Sequence, residues 1–301
     1  MKAVVLTDYG DVDKLELRDL PEPRPGPGEV KIKVAAAGVN PIDWKIRSGA
    51  AKGMMRVQFP AVLGRDVAGE VVEVGPGVTA FKPHDKVLGV VQHGYAEEVV
   101  ASADALARIP EGFDVRDAAA LPLVTVTGTE LIEEAVQPKK GDLVLVTGAV
   151  GSVGRSAVYA AKRVGARVIA GVRAEQKSEA QRLSVEQVVA IDDDAEIARL
   201  PQLDAIADTV NGETIAKLIP KIRAGGTLGS VLGEPPAAKG RDLRVRAIVA
   251  HPDAQRLRVM AEAAARGELE IPISKRLPLS EVREAHKLAE HGAEGKVLLI
   301  M

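Results

Sequence analysis

From Val30 the chain reads VKIKVAAAG, apolar β-branched residues alternating with lysines before a small-residue run. AGEVVEVG from Ala68 has the same habit, and HGYAEEVVAS follows from His93 after a turn. A period of two marks half-buried β-strands. Between these stretches lie the Pro- and Gly-rich joints LPEPRPGPGE and VGPGVTAFKPHD. Both are short and bounded by strand signals, so they are expected as surface turns. To about Leu121 the chain therefore reads as β-rich.

From Leu123 the rhythm changes. GDLVLVTGA, ending at Ala149, is a continuous apolar strand bounded by glycine, and VGRSAVYAAKRVG has helical spacing up to Gly165. ARVIAGV predicts a second strand, AEQKSEAQRL from Ala174 a polar-faced helix, and VEQVVAID, LDAIADTV, GGTLGSVL and LRVRAIVA further strands, with helical stretches such as GETIAKLIPKI between most of them. Strands buried on both faces and alternating with helices imply a doubly wound parallel sheet. After PDAQRLRVMAEAAARGELE the pattern shifts again: IPISKRLPL predicts a strand, SEVREAHKLAEHG a helix capped by Ser280, and GKVLLI a last strand. These elements either extend the α/β unit or return to complete the first part. Expected boundaries are 1–122, 123–267 and 268–301.

Composition narrows the function classes. A chain of 301 residues, 46% hydrophobic and 27% charged, suggests about two globular domains. A net charge of −2 offers no field attractive to nucleic acid or anionic lipid. No cysteine is present, which removes disulfides, thiolate nucleophiles and Cys-ligated zinc. The N-terminus turns polar at Asp8, unlike a signal peptide, and no apolar run approaches a membrane span. A cytoplasmic protein is expected.

The glycines of VTGAVGSVGRS carry the first chemical signal. Placed between strand and helix, the stretch from Gly148 through Ala149, Val150, Gly151, Ser152 and Val153 to Gly154 fits a dinucleotide loop. Such a loop needs a tight turn, a bare backbone beside pyrophosphate and a small residue where helix meets strand. Ala149, Gly151 and Gly154 are assigned those roles in order. The next strand ends in Gly171, Val172 and Arg173, with no carboxylate until Glu175. An acid there would grip ribose hydroxyls; Arg173 and Lys177 instead attract a 2′-phosphate, so NADPH is the expected cofactor. Alternatively, both are solvated surface charges.

With these residues in hand the chain resembles the medium-chain dehydrogenase/reductase superfamily, in its zinc-free quinone oxidoreductase and enone reductase branch. GVNPIDWKIRSG, LGRDVAGEVVEVGPGVTAFKPHDKVLG, AAALPLVTVTG, VTGAVGSVG and EGKVLLI carry the resemblance almost end to end. It implies an α/β protein: a GroES-like β-rich catalytic domain, interrupted by a Rossmann domain and completed by the C-terminal segment. It also implies a nicotinamide held in a cleft between them, and homodimers joined at the strand RVRAIVA.

The resemblance assigns site residues. Zinc-dependent relatives place Cys at the position of Asn40 and His at that of Arg65, and carry a four-cysteine lobe absent here, so no catalytic metal is expected. Asn40 either hydrogen-bonds substrate or ribose, or caps the turn before Pro41. Lys45 either contacts ribose or is exposed charge. Arg65 either stabilises an enolate oxygen or pairs with Asp43 or Asp66, the pairing being favoured. Trp44 either walls the substrate pocket or packs in the fold, His251 either contacts substrate or is idle, the idle reading being favoured, and Thr127, Val231 and Leu232 are candidates for the cofactor. Tyr95 is read as structural, His286 and His291 as solvated.

The implied activity is NADPH-dependent reduction of quinones or α,β-unsaturated carbonyls by hydride transfer, without zinc and with protonation from solvent. Two alternatives stay open: a zinc-free reductase of saturated carbonyls, and an NADPH-binding sensor or structural protein with little turnover.

Overall fold

In the computed structural model, which describes Met1–Met301, the alternating stretches become antiparallel strands. In chain order they are β1 (Lys2–Leu6), β2 (Leu15–Asp19), β3 (Glu29–Val39), β4 (Ala61–Val62), β5 (Asp66–Val74), β6 (Lys86–Val90), β7 (Glu98–Ser102) and β8 (Leu106–Arg108), with helix α1 (Pro41–Ser48) between β3 and β4. The pattern reading assigned no helix there. At eight residues α1 is too short for a periodic stripe, but Pro41 at its first turn and the left-handed Gly49 at its end mark its limits.

The second part begins with α2 (Pro122–Glu130), which runs into a π-helical turn at Leu131–Val136. There follow β9 (Leu143–Thr147), α3 (Ser152–Arg163), β10 (Arg167–Val172), α4 (Lys177–Ala180), β11 (Gln187–Ala190), α5 (Asp194–Arg199), β12 (Leu203–Asp208), α6 (Gly212–Leu218), β13 (Ile222–Ser230) and β14 (Leu243–Ala247). The six strands form one parallel sheet in the order β11-β10-β9-β12-β13-β14. The chain starts in the middle at β9, winds out one way to β11, then returns to the other side at β12. That reversal between β9 and β12 is the switch point where doubly wound folds open a crevice at the strands' carboxyl ends. Val144, Leu145, Val146 and Ile206 are fully buried, as continuous apolar strands require.

The chain closes with α7 (Ala254–Ala265), β15 (Ile273–Pro278), α8 (Val282–Glu290) and β16 (Lys296–Ile300). β16 pairs antiparallel with β3, Val297 opposite Val39, inside a seven-stranded sheet. The last segment thus completes the first part rather than extending the α/β unit. Contacts divide the chain into Met1–Leu123 with Pro252–Met301, and Val124–His251. The return therefore begins before α7, not at residue 268, because α7 packs against β8.

Two local expectations fail for physical reasons. AEQKSEAQRL is not one helix but α4 between two 3-10 turns, with Ala180 its only buried residue. Without an apolar stripe, nothing holds a longer helix against the sheet. Ser280 caps nothing: it lies in a 3-10 turn, Leu279–Glu281, and α8 starts at Val282 with no side-chain cap. No helix is long and apolar enough to cross a membrane.

Candidate functional site

The α/β unit presents its glycine turn at the carboxyl end of β9. Gly148 has φ 61°, a left-handed conformation that costs most residues energy. The tight turn is therefore made at Gly148, not at Ala149, which is buried and has no positive φ. A Cβ on Gly154 would lie 2.1 Å from the Gly148 carbonyl oxygen, so this position admits hydrogen only. Gly151, exposed at the N-cap of α3, supplies no side-chain cap, and the first helical bond runs from Arg155 N–H to its carbonyl, 2.8 Å. The amides of Ser152, Val153 and Gly154 thus stand in the first turn, where a helix has donors without helical partners and a positive dipole end. Val150 is buried, and its carbonyl accepts from Arg155 Nε at 2.9 Å.

Beside this turn stands a buried carboxylate absent from the sequence reading. Asp208, at the end of β12, is fully buried. Its Oδ1 accepts from the Thr147 hydroxyl at 3.0 Å and from the backbone N–H groups of Val210 and Asn211 at 3.1 and 3.0 Å. Its Oδ2 accepts from the Ser230 hydroxyl at 3.0 Å. Ser230 Oγ in turn accepts from Leu232 N–H at 3.1 Å, and the Asp208 carbonyl accepts from Val231 N–H at 3.2 Å. One carboxylate so fastens the ends of β9, β12 and β13, and the predicted cofactor residues Val231 and Leu232 are held beside it through the Asp208 carbonyl and the Ser230 hydroxyl.

The predicted phosphate grip is partly occupied. Arg173 follows β10 with its side chain 61% exposed, 3.2 Å from Glu175. Lys177 Nζ is held by both oxygens of Glu196, at 2.7 and 3.0 Å. Thr127 is half-buried on α2. His251 is 77% exposed, and its backbone N–H donates to Glu130 at 3.2 Å.

In the β-rich unit, Asn40 is the N-cap residue of α1, its carbonyl accepting from Asp43 N–H at 3.0 Å, and its side chain is engaged elsewhere. Its Nδ2 donates to Asp66 Oδ2 at 2.8 Å and its Oδ1 accepts from Lys296 Nζ at 2.7 Å. The Lys296 ammonium also donates to Asp66 Oδ2 at 3.0 Å and to the Val39 carbonyl at 3.2 Å. All three of its donors are thereby used. Asp66 Oδ1 takes Leu123 N–H at 2.7 Å. These buried groups tie β3, β5 and β16 together. Sequence reasoning passed over Lys296 because a charge at the start of an apolar strand ordinarily stays in water.

Arg65 pairs with neither aspartate: Asp66 is taken by Lys296 and Asn40, and Asp43 accepts from Asn40 N–H at 2.8 Å and from the Tyr95 hydroxyl at 2.9 Å. The expected ion pair is absent, and Arg65 Nε is buried with no partner. Lys45 forms no ion pair either; its ammonium lies 5.6 Å from the Trp44 ring centre, and Trp44 Nε1 is buried without an acceptor. Tyr95 is fully buried, as a structural residue should be. His286, expected in solvent, is wholly buried against Tyr95, with ring centres 5.8 Å apart and neither ring nitrogen bonded. Burial, aided by the Arg47 charge, pushes its pKa down to about 3. His291 is exposed, as read.

Comparison with known proteins follows the same outline. Residues 26–111 match the alcohol dehydrogenase GroES-like domain, and residues 183–299 the zinc-binding dehydrogenase family. The chain is 30% identical to a chloroplast envelope quinone oxidoreductase homolog of Arabidopsis thaliana, over 99% of this chain and 98% of that one. It belongs to the quinone oxidoreductase branch of the medium-chain dehydrogenase/reductase superfamily. Human quinone oxidoreductase is 29% identical over 100% of this chain and 98% of its own. The solved quinone oxidoreductase of Coxiella burnetii superposes with a TM-score of 0.89 at 30% identity, covering 100% of this chain and 99% of that one. A solved NAD-dependent alcohol dehydrogenase gives 0.89 at 29%, with both chains covered in full.

The zinc in one family description does not fit the donor set of this oxidoreductase. No three His, Asp or Glu side chains converge as metal ligands. Asn40 Oδ1 is already bound to an ammonium, and a guanidinium at Arg65 donates hydrogen bonds without offering a lone pair.

Burial raises the Asp43 carboxyl from 3.8 to about 6, against the lowering effect of its bonds from Asn40 and Tyr95. A raised folded-state value adds stability below pH 3.8, and that contribution is lost as pH rises through about 6. The shift corresponds to about 3 kcal/mol. Asp43→Asn keeps an acceptor and removes the titration. Its unfolding free energy minus that of the parent should therefore climb by roughly that amount between pH 4 and 7 in urea titrations. Parallel curves for the two proteins contradict the assignment.

Proposed function

We propose that this oxidoreductase reduces quinones or α,β-unsaturated carbonyls with NADPH and without zinc. The glycine turn carries this reading: a bare helix N-terminus at a doubly wound switch point is built to receive a pyrophosphate. When bound, the nicotinamide supplies a hydride to the electrophilic carbon. The chain's own groups do the rest. First-turn amides of α3 bind the pyrophosphate, Val231 and Leu232 line the cofactor, and Thr127 flanks its reactive end. Arg65, free of any aspartate, meets the negative charge that develops on the acceptor oxygen. Lys45 offers a second unpaired cation on α1, and Trp44 an apolar wall with an unused N–H. We also propose His251, exposed in the α/β unit, as a substrate contact. Asn40 acts through its bonds, holding the bend between β3 and α1 rather than touching substrate. Solvent supplies the proton that completes reduction.

NADPH is preferred over NADH because β10 ends without a carboxylate to bind ribose hydroxyls, and Arg173 carries an exposed guanidinium there. Lys177, neutralised by Glu196, contributes less than the sequence promised. The family names support a small-molecule acceptor. β14 is an edge strand, paired only with β13, and is the proposed seam of a homodimer.

Two measurements test the reading. NADPH absorbance at saturating cofactor should fall with quinones or enones and hold steady with simple aldehydes. Loss only with aldehydes favours the saturated-carbonyl reductase, and binding without any turnover favours the sensor. Separately, Arg173→Glu should lower the NADPH-to-NADH ratio of kcat/KM about tenfold or more, as the loss of one charge-assisted contact and gain of a repulsion requires. An unchanged ratio removes Arg173 from the site.

A further inference from the structure

Asp208 is the one buried carboxylate at the carboxyl edge of the parallel sheet that has no cation beside it. Its four partners are two hydroxyls and two backbone amides, and none of the ion pairs of this unit reaches it. The contrast with Asp66 is direct, since that buried acid is neutralised by Lys296 at 3.0 Å. Hydrogen bonds from neutral groups hold a carboxylate in place but leave its net charge intact. At full burial that charge is poorly screened, so it acts on whatever occupies the adjoining crevice. The position is specific: Asp208 bridges β9 and β12, the two strands whose divergence makes the switch point, and fixes the segments Val210–Asn211 and Val231–Leu232.

A nicotinamide gains one positive charge when it gives up its hydride, while the phosphates of the cofactor are unchanged. A fixed negative charge in the wall therefore interacts more favourably with the oxidised cofactor than with the reduced one. Resting on the reading of this site as a nicotinamide site, we propose that Asp208 sets the redox preference of the pocket, holding NADP+ more tightly relative to NADPH than a neutral wall would. The same charge favours the transition state, in which the positive charge is partly formed, at the cost of slower release of oxidised cofactor.

Two variants separate charge from scaffolding. Asp208→Asn keeps a carbonyl oxygen for the donors of Thr147, Val210 and Asn211, and places an NH2 toward the Ser230 oxygen, removing chiefly the charge. Asp208→Ala removes charge and fastening together. Dissociation constants for NADP+ and NADPH, measured by isothermal titration calorimetry on the full chain, give the ratio directly. Asp208→Asn should raise Kd(NADP+)/Kd(NADPH) at least threefold, with NADPH affinity within twofold of the parent. Asp208→Ala should weaken both cofactors. If Asp208→Asn proves too unstable to titrate, Ser230→Ala retains the carboxylate and three of its four donors, and should leave the ratio at the parental value. An unchanged ratio in Asp208→Asn, or a changed one in Ser230→Ala, overturns the proposal. Failure of the parent protein to bind either cofactor instead overturns the reading of the site itself.

Discussion

The approach of Gly154 to the Gly148 carbonyl is the constraint on which the site depends. The backbone doubles back at Gly148 with a left-handed φ, and α3 enters so close that even one carbon on Gly154 would collide with the turn. That proximity places the first-turn amides of α3 at the end of β9, in the middle of the parallel sheet. Two glycines give up backbone entropy here, a cost of about 1 kcal/mol each relative to alanine in a regular element. The return is a helix end unobstructed by side chains, at the only place in the sheet where neighbouring strands wind in opposite directions. The buried Asp208 then secures the two neighbouring strand ends to the same point.

The β-rich unit solves a different problem, that of burying charge. Lys296, Asp66 and Asn40 close a set of bonds in which every ammonium donor has an oxygen. Isolated, either charge would cost several kcal/mol to bury, and together with full hydrogen bonding they become tolerable. The consequence for the neighbouring arginine is indirect. Because Lys296 and Asn40 occupy Asp66, Arg65 forms no ion pair with that acid. A residue at the far end of the sequence thus decides what a residue at position 65 is free to do.

Much of this was legible in the sequence, and the limits have physical causes. Period-two alternation and continuous apolar runs are local, so β3, β5, β9 and β10 stand where they were expected, as does α3. The glycine turn was legible too, although its sharp bend falls one residue earlier, since only a positive φ distinguishes Gly148 from Ala149. The partner of Asn40 and Asp66 was not legible: Lys296 lies more than two hundred positions away and reaches them only when β16 pairs with β3. His286 misled because its helix is polar on the whole, and one buried face is set by what packs over it. Lys177 had the right charge for a phosphate, yet Glu196 from α5 reaches it first.

The central claim is that the Gly148–Gly154 turn holds a dinucleotide. The most direct measurement is calorimetric titration of NADPH into Gly154→Val, with circular dichroism to verify that the fold persists. The account predicts that affinity falls at least a hundredfold in a protein that is still folded, because the enlarged side chain displaces the amides from the strand end. A folded variant that binds NADPH as tightly as the parent would contradict it.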